Sequence, residues 1–139
     1  MPLMKNNDIR RKVNQLGRRG EKLAGKLLED CGMTILAKNY RCDSGELDIV
    51  ALDGKEIVFA EVKTLRCKAG RIPAANLSAR QRRRNRKAAL FYLRSVTGKL
   101  RNARFDLIEV ILKNNFLHSI TRTEDYLPPV TTAANVPLR

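Results

Sequence analysis

The chain has 139 residues, 43% of them hydrophobic, and carries 28 Lys and Arg against 14 Asp and Glu, a formal charge of +14. That is apolar material for one core and little length for two, so wholesale disorder is excluded. No apolar run approaches the ~20 residues of a membrane-spanning helix, and the charged start (Lys5, Asp8, Arg10, Arg11, Lys12) lacks the apolar stretch of a secretory signal, so a soluble cytoplasmic protein is expected.

In chain order, Leu16, Gly20, Leu23, Ala24, Leu27, Leu28 and Cys31 recur at helical spacing, which predicts an amphipathic helix over Arg10–Cys31 stopped by Gly32. Met33–Ala37 suits a short strand. Leu47–Leu52 and Glu56–Thr64 are two further strands joined through Asp53-Gly54, a hairpin signal. A polar loop spans Arg66–Asn76. Ser78 opens a second helix, with Gln81 three residues on completing a capping-box pattern and Gly98 closing it. Arg104–Leu112 and Phe116–Ile120 pair around Asn114-Asn115. The order α-β-β-β-α-β-β makes one mixed α/β domain over residues 1–120, and the proline-containing stretch 121–139 reads as a loosely ordered C-terminal tail.

The charge is unevenly placed. Val62–Phe105 holds fourteen basic residues and no acid, whereas Asp43–Glu61 holds six acids and one base, Lys55. A basic stretch of this density implies a polyanionic partner, with nucleic acid the first expectation over an anionic membrane or a merely solvated surface. Arg80, Arg82, Arg83, Arg84, Arg86 and Lys87 crowd the start of the second helix, where the macrodipole disfavours cations, so phosphates near that end are the expected compensation. There is no Trp, no helix-turn-helix and no zinc module. Shape rather than base sequence is the expected basis of recognition. Three widely spaced cysteines and a single histidine, His118, leave little for a disulfide framework, a zinc knuckle or a histidine-dependent mechanism.

The acids fall in a hairpin, which allows a geometric reading. A turn centred on Asp53-Gly54 sets Glu46 opposite Glu61 and Asp48 opposite Phe59, with Asp48 and Glu61 diagonal neighbours roughly 7–8 Å apart. Alternation puts Glu46, Asp48, Glu61 and Lys63 on one face with Val50, Leu52, Ile57 and Phe59, and Leu47, Ile49 and Ala51 on the other. Both faces are then largely apolar, as in a strand covered on both sides. Clustered carboxylates on such a face repel each other unless a cation lies between them, and hard carboxylate oxygens suit Mg²⁺ or Mn²⁺. The competing reading is a charged strand end neutralised by Lys63 and nearby arginines. A cation held by Asp48 and Glu61 polarises a phosphodiester, and Lys63 is placed to orient the attacking water or to neutralise charge developing on phosphate.

Asp48 followed after twelve residues by Glu61-Val62-Lys63 resembles the signature of the PD-(D/E)XK, or restriction-endonuclease-like, nucleases. Gly17-Arg18-Arg19-Gly20-Glu21, Gly45-Glu46-Leu47-Asp48-Ile49-Val50 and Phe59-Ala60-Glu61-Val62-Lys63-Thr64 resemble the YraN family of bacterial proteins, which is grouped with Holliday junction resolvases by fold. The resemblance runs over residues 13–120. It implies a restriction-endonuclease-like mixed sheet flanked by helices, Asp48 and Glu61 as metal ligands and Lys63 as the catalytic lysine. It adds Glu21 to the metal site and places Gln81 near it, against an exposed helix acid and a helix cap as their plain alternatives. Glu46 is a further ligand or a partner of one. Leu47 stands where the superfamily name has proline. The implied activity is a divalent-metal-dependent DNA endonuclease, with branched or damaged DNA as candidate substrate and a homodimer as candidate assembly. The alternative is a nucleic-acid-binding protein of the same fold that does not cut.

Overall fold

A computed structural model describes residues 6–69, 71, 77–96 and 103–130. The elements run α1 (Asn6–Asp30), β1 (Thr34–Cys42), β2 (Gly45–Asp53), β3 (Glu56–Arg66), α2 (Ala79–Ser95), β4 (Ala103–Lys113) and β5 (Phe116–Val130), in the order the sequence predicts. The strands form one sheet in the spatial order β1-β2-β3-β4-β5. All neighbours are antiparallel except β3 and β4, which run parallel because α2 carries the chain back between them.

The two helices cover opposite faces. Ala24 and Leu28 of α1 pack with Ile49, Ala51, Val58, Ala60, Ile108 and Val110. On the other face Ala88, Ala89, Tyr92 and Leu93 of α2 pack with Val50, Ile57, Phe59 and Phe105. The sheet is therefore the middle layer of a sandwich of helix, sheet and helix, the architecture expected of a restriction-endonuclease-like domain. Helix α1 stops at Gly32 (φ 88°), where Met33 N–H bonds Leu28 O and Gly32 N–H bonds Glu29 O, the Schellman pattern that a left-handed glycine permits. Gly98, expected to close α2, lies outside the described residues.

Four expectations are corrected. First, β1 continues to Cys42, past the expected end at Ala37. It is an edge strand, so Lys38, Asn39 and Arg41 remain exposed and break the apolar pattern that the sequence reading relied on. Second, the β2–β3 turn is centred one residue later. Asp53 pairs with Glu56, so Gly54-Lys55 is the loop, and Gly54 (φ 61°) takes the first position of a type II′ arrangement. Opposed partners move by two residues, so the turn by itself leaves the predicted alternation of faces unchanged. Third, Leu47 packs on the α2 face, not with Ile49 and Ala51. Alternation slips where the pairs Lys38–Ile49 and Tyr40–Leu47 bracket Asn39 (φ 52°) and Asp48.

Fourth, the chain beyond Ile120 is strand, with β5 running to Val130; residues 131–139 lie outside the described residues. This edge strand tolerates Pro128-Pro129 because Arg104 alone spans them between the pairs Phe105–Leu127 and Ala103–Val130. A second bulge, Glu124–Tyr126, lies opposite Asp106 between the pairs Phe105–Leu127 and Leu107–Thr123. Asp106 is fully buried and anchors it, accepting from Asp125 N–H (3.4 Å) and Arg122 (3.3 Å), while Arg104 spends its donors on Asp53, Glu56 and Asp106. Two of the acids in the Asp43–Glu61 block are thereby neutralised by Arg104, away from the others.

Candidate functional site

The β2–β3 ladder runs from Asp53–Glu56 up to Ile49–Ala60, and the same register continued by one step sets Asp48 directly across from Glu61. There the side chain replaces the backbone: Asp48 Oδ2 accepts the Val62 N–H at 2.8 Å. The two carboxyls are close enough that Asp48 disfavours the ionised form of Glu61. The shifted turn thus brings the pair closer than the diagonal placement predicted.

Glu61 is 7% exposed. Burial, followed by the neighbouring Asp48, pushes its carboxyl up to about 8 from an ordinary 4.5. Asp48 is also raised, again chiefly by burial, against the opposing Val62 N–H. Lys63 on the same strand favours the charged form of both. Glu61 is held from α2, where Gln81 Nε2 donates to Oε1 at 2.5 Å and Asn85 Nδ2 to Oε2 at 3.2 Å. These amides are one helical turn apart, so they share the face that α2 turns to the sheet. Gln81 also receives the cap, its N–H donating to Ser78 Oγ at 3.1 Å. Its backbone is capped while its side chain serves the site, so the two predicted roles coexist.

Glu21 reaches the same region from α1. It is half-buried and raised by burial first and by Asp48 next, with Asn39 donating a hydrogen bond to it. Gly20 makes this approach feasible, since a Cβ there would lie 1.7 Å from Thr64 Oγ1 on β3. Glu46 lies at the exposed rim, 3.6 Å from Arg41. It lines a cavity of about 240 Å³ with Glu61, Ser78, Arg80, Gln81, Arg84 and Asn85. Acids, amides and two of the predicted phosphate-binding arginines therefore share one opening. Arg82, Arg83 and Lys87 are exposed on the outer surface of α2, and Arg86 is half-buried. Among the described residues no helix is long and apolar enough to cross a membrane.

Two residues at the site escaped the sequence reading. Asn85 had a usable signal, its i+4 spacing from Gln81. Tyr126 had none. The bulge held by Asp106 turns its ring onto Phe105 (6.4 Å, edge-on), and its buried hydroxyl lies beside Asn85 and the two acids without a well-formed hydrogen bond.

The donor set can be tested against a hard cation. Two adjacent carboxyls whose ionised forms are disfavoured by burial are a site whose charge a divalent ion would satisfy. Among the described residues no three His, Cys, Asp or Glu side chains are gathered to enclose an ion. Mg²⁺ is ordinarily held by one or two carboxylates, with water and substrate phosphate completing its shell. The residues fit such an ion.

The family model described as "Uncharacterised protein family UPF0102" matches residues 20–110, which contain every acid of the site and the whole of α2. Three relatives illustrate the similarity. A UPF0102 protein of Moorella thermoacetica is 45% identical over 96 residues, 69% of this chain and 80% of that protein. One from Nocardia farcinica is 41% identical over 97 residues, 70% and 76% of the two chains. One from Desulfosudis oleivorans is 35% identical over 111 residues, 80% and 90%.

Proposed function

The chain belongs to the UPF0102 family, the YraN family that its sequence blocks resemble, and from that premise we propose that it is a divalent-metal-dependent endonuclease that hydrolyses phosphodiester bonds of DNA. The observation that carries this reading is the Asp48–Glu61 pair, Asp48 half-buried and Glu61 buried, with Glu61 lining a cavity rimmed by Arg80 and Arg84. A protein that merely binds phosphates gains nothing from carboxylates at the mouth of its basic surface, since they repel the ligand.

Asp48 and Glu61 would hold Mg²⁺ or Mn²⁺, with Glu21 on the α1 side and Glu46 at the rim as further carboxylates. Such an ion supplies Lewis acidity at the phosphate and lowers the pKa of bound water. The chain's own groups do the rest. Gln81 and Asn85 fix both oxygens of Glu61, and Val62 N–H fixes Asp48, so the carboxylates are preorganised. Lys63 stabilises negative charge as water adds to phosphorus and the bond to the leaving sugar oxygen breaks. The arginines of α2 hold backbone phosphates, and with no Trp and no helix-turn-helix in the sequence the substrate is selected by shape, branched or damaged DNA first.

Purified protein assayed with Mg²⁺ and with Mn²⁺ on duplex, flap, single-stranded and four-way-junction DNA tests the reading. Metal-dependent cleavage of at least one substrate is expected. Tight binding with no cleavage of any would make it a nucleic-acid-binding protein of the same fold.

A further inference from the structure

The face of the sheet covered by α1 carries a larger opening, of about 410 Å³, which the site described above does not use. Its walls are Gln15, Leu16 and Arg19 of α1, Arg66 at the end of β3, Leu112 of β4 and Asn115 of the β4–β5 turn. Arg66 is parallel-paired with Leu112, which belongs to the α1-side core, so its side chain stands on that face. The Asn114-Asn115 turn has both residues left-handed (φ 50° and 64°), and this conformation brings Asn115 to the rim.

The chemistry of the lining is one-sided. It has two guanidinium groups, two amides, two leucines and no acid. Among the described residues neither Arg19 nor Arg66 has a carboxylate partner, whereas Arg104 has three. Two unpaired guanidinium groups facing one cavity repel each other, and an oxyanion that accepts from both removes the repulsion. Arg19 immediately precedes Gly20, the residue seated on Thr64, and Arg66 is two residues beyond Thr64, so both are fixed relative to the acids. Five residues of strand separate Arg66 from Glu61, about 16 Å.

We propose that Arg19 and Arg66 form a second phosphate-binding site, on the opposite face of the sheet from α2, that takes a backbone phosphate of bound nucleic acid away from the reacting one. The inference rests on the nuclease reading for its ligand. It adds that the nucleic acid is gripped from both faces of the sheet.

The test is fluorescence anisotropy of a labelled DNA duplex in EDTA over a range of salt. It compares wild type with Arg19→Gln/Arg66→Gln and with Arg82→Gln/Arg83→Gln. Retained Mn²⁺ binding confirms that each variant is folded. The proposal expects Arg19→Gln/Arg66→Gln to lower affinity and to reduce the log–log salt slope by ~0.9, one phosphate contact. If the slope falls only in the α2 variant, the second site is refuted and the nuclease reading stands. If the DNA slope is unchanged while inorganic phosphate raises the melting temperature of wild type and not of Arg19→Gln/Arg66→Gln, the pocket is a small-anion site, and the backbone assignment is refuted. Absence of DNA binding by wild type would overturn both readings.

Discussion

Asp48→Asn should make the metal-free protein more stable while abolishing its metal binding. The amide oxygen of Asn keeps the acceptor for Val62 N–H, so the local backbone bond survives. What disappears is the second carboxyl beside Glu61. Glu61 is shifted from 4.5 to about 8, with burial the largest cause and Asp48 the next. Only the Asp48 share is returned by the substitution. At 1.36 kcal/mol for each unit of pKa, that share is about 1–2 kcal/mol near pH 8. For a domain of this size, such a gain raises the melting temperature by roughly 3–8 °C. The assay is thermal unfolding in EDTA at pH 8, with Mn²⁺ titration calorimetry alongside. A melting temperature equal to or below that of wild type would refute the claim that the two acids oppose each other in the folded state. Mn²⁺ affinity unchanged in the folded variant would remove Asp48 from the ligand set.

The same pair sets a pH dependence. Below about pH 4.5 the carboxyl of Glu61 is protonated whether the chain is folded or not. Above that the unfolded chain loses the proton first, so this group's stabilisation is lost progressively as pH rises to about 8. In EDTA the stability of wild type relative to Glu61→Gln should therefore fall across that window by a few kcal/mol, and a flat difference would contradict it. Asp106→Asn should cost about 3–5 kcal/mol, because it leaves Arg104 and Arg122 facing a neutral group in a buried network; a melting temperature within a degree of wild type would refute its anchoring role. Gly20→Ala should cost about 1–3 kcal/mol through its clash with Thr64 Oγ1 and should weaken Mn²⁺ binding by displacing Glu21, with Thr64→Ala in the same chain recovering part of both.

The order of elements was legible because each announces itself locally: an apolar stripe over Leu16–Cys31, a turn glycine between two apolar runs, a serine ahead of a periodic segment. That Asp48 and Glu61 lie side by side was legible because moving the turn centre by one residue shifts opposed partners by two and leaves alternation parity intact. What failed depended on non-local pairing. Asp-Gly and Gly-Lys are both acceptable two-residue turns, and only the completed ladder chooses between them. Leu47 changes face at a slip shared with Asn39 of another strand, which no property of Leu47 announces. Thr121–Val130 lacks an apolar pattern because β5 is an edge strand, bulged around Asp106. Tyr126 was lost with it, since its place at the site is set by Asp106, a residue of the neighbouring strand.

Lys63 offers the most direct test of the central claim, that these acids serve phosphodiester hydrolysis. It contributes charge at the pair without belonging to the Gln81 and Asn85 network that holds Glu61. Single-turnover cleavage by Lys63→Ala at saturating protein, on a substrate that wild type cuts in Mg²⁺ or Mn²⁺, separates chemistry from binding. The account predicts a rate lower by about 100- to 1000-fold with DNA affinity nearly unchanged, and no rescue by Lys63→Arg, whose planar guanidinium cannot take the place of a compact ammonium. Cleavage at the wild-type rate by Lys63→Ala would contradict it.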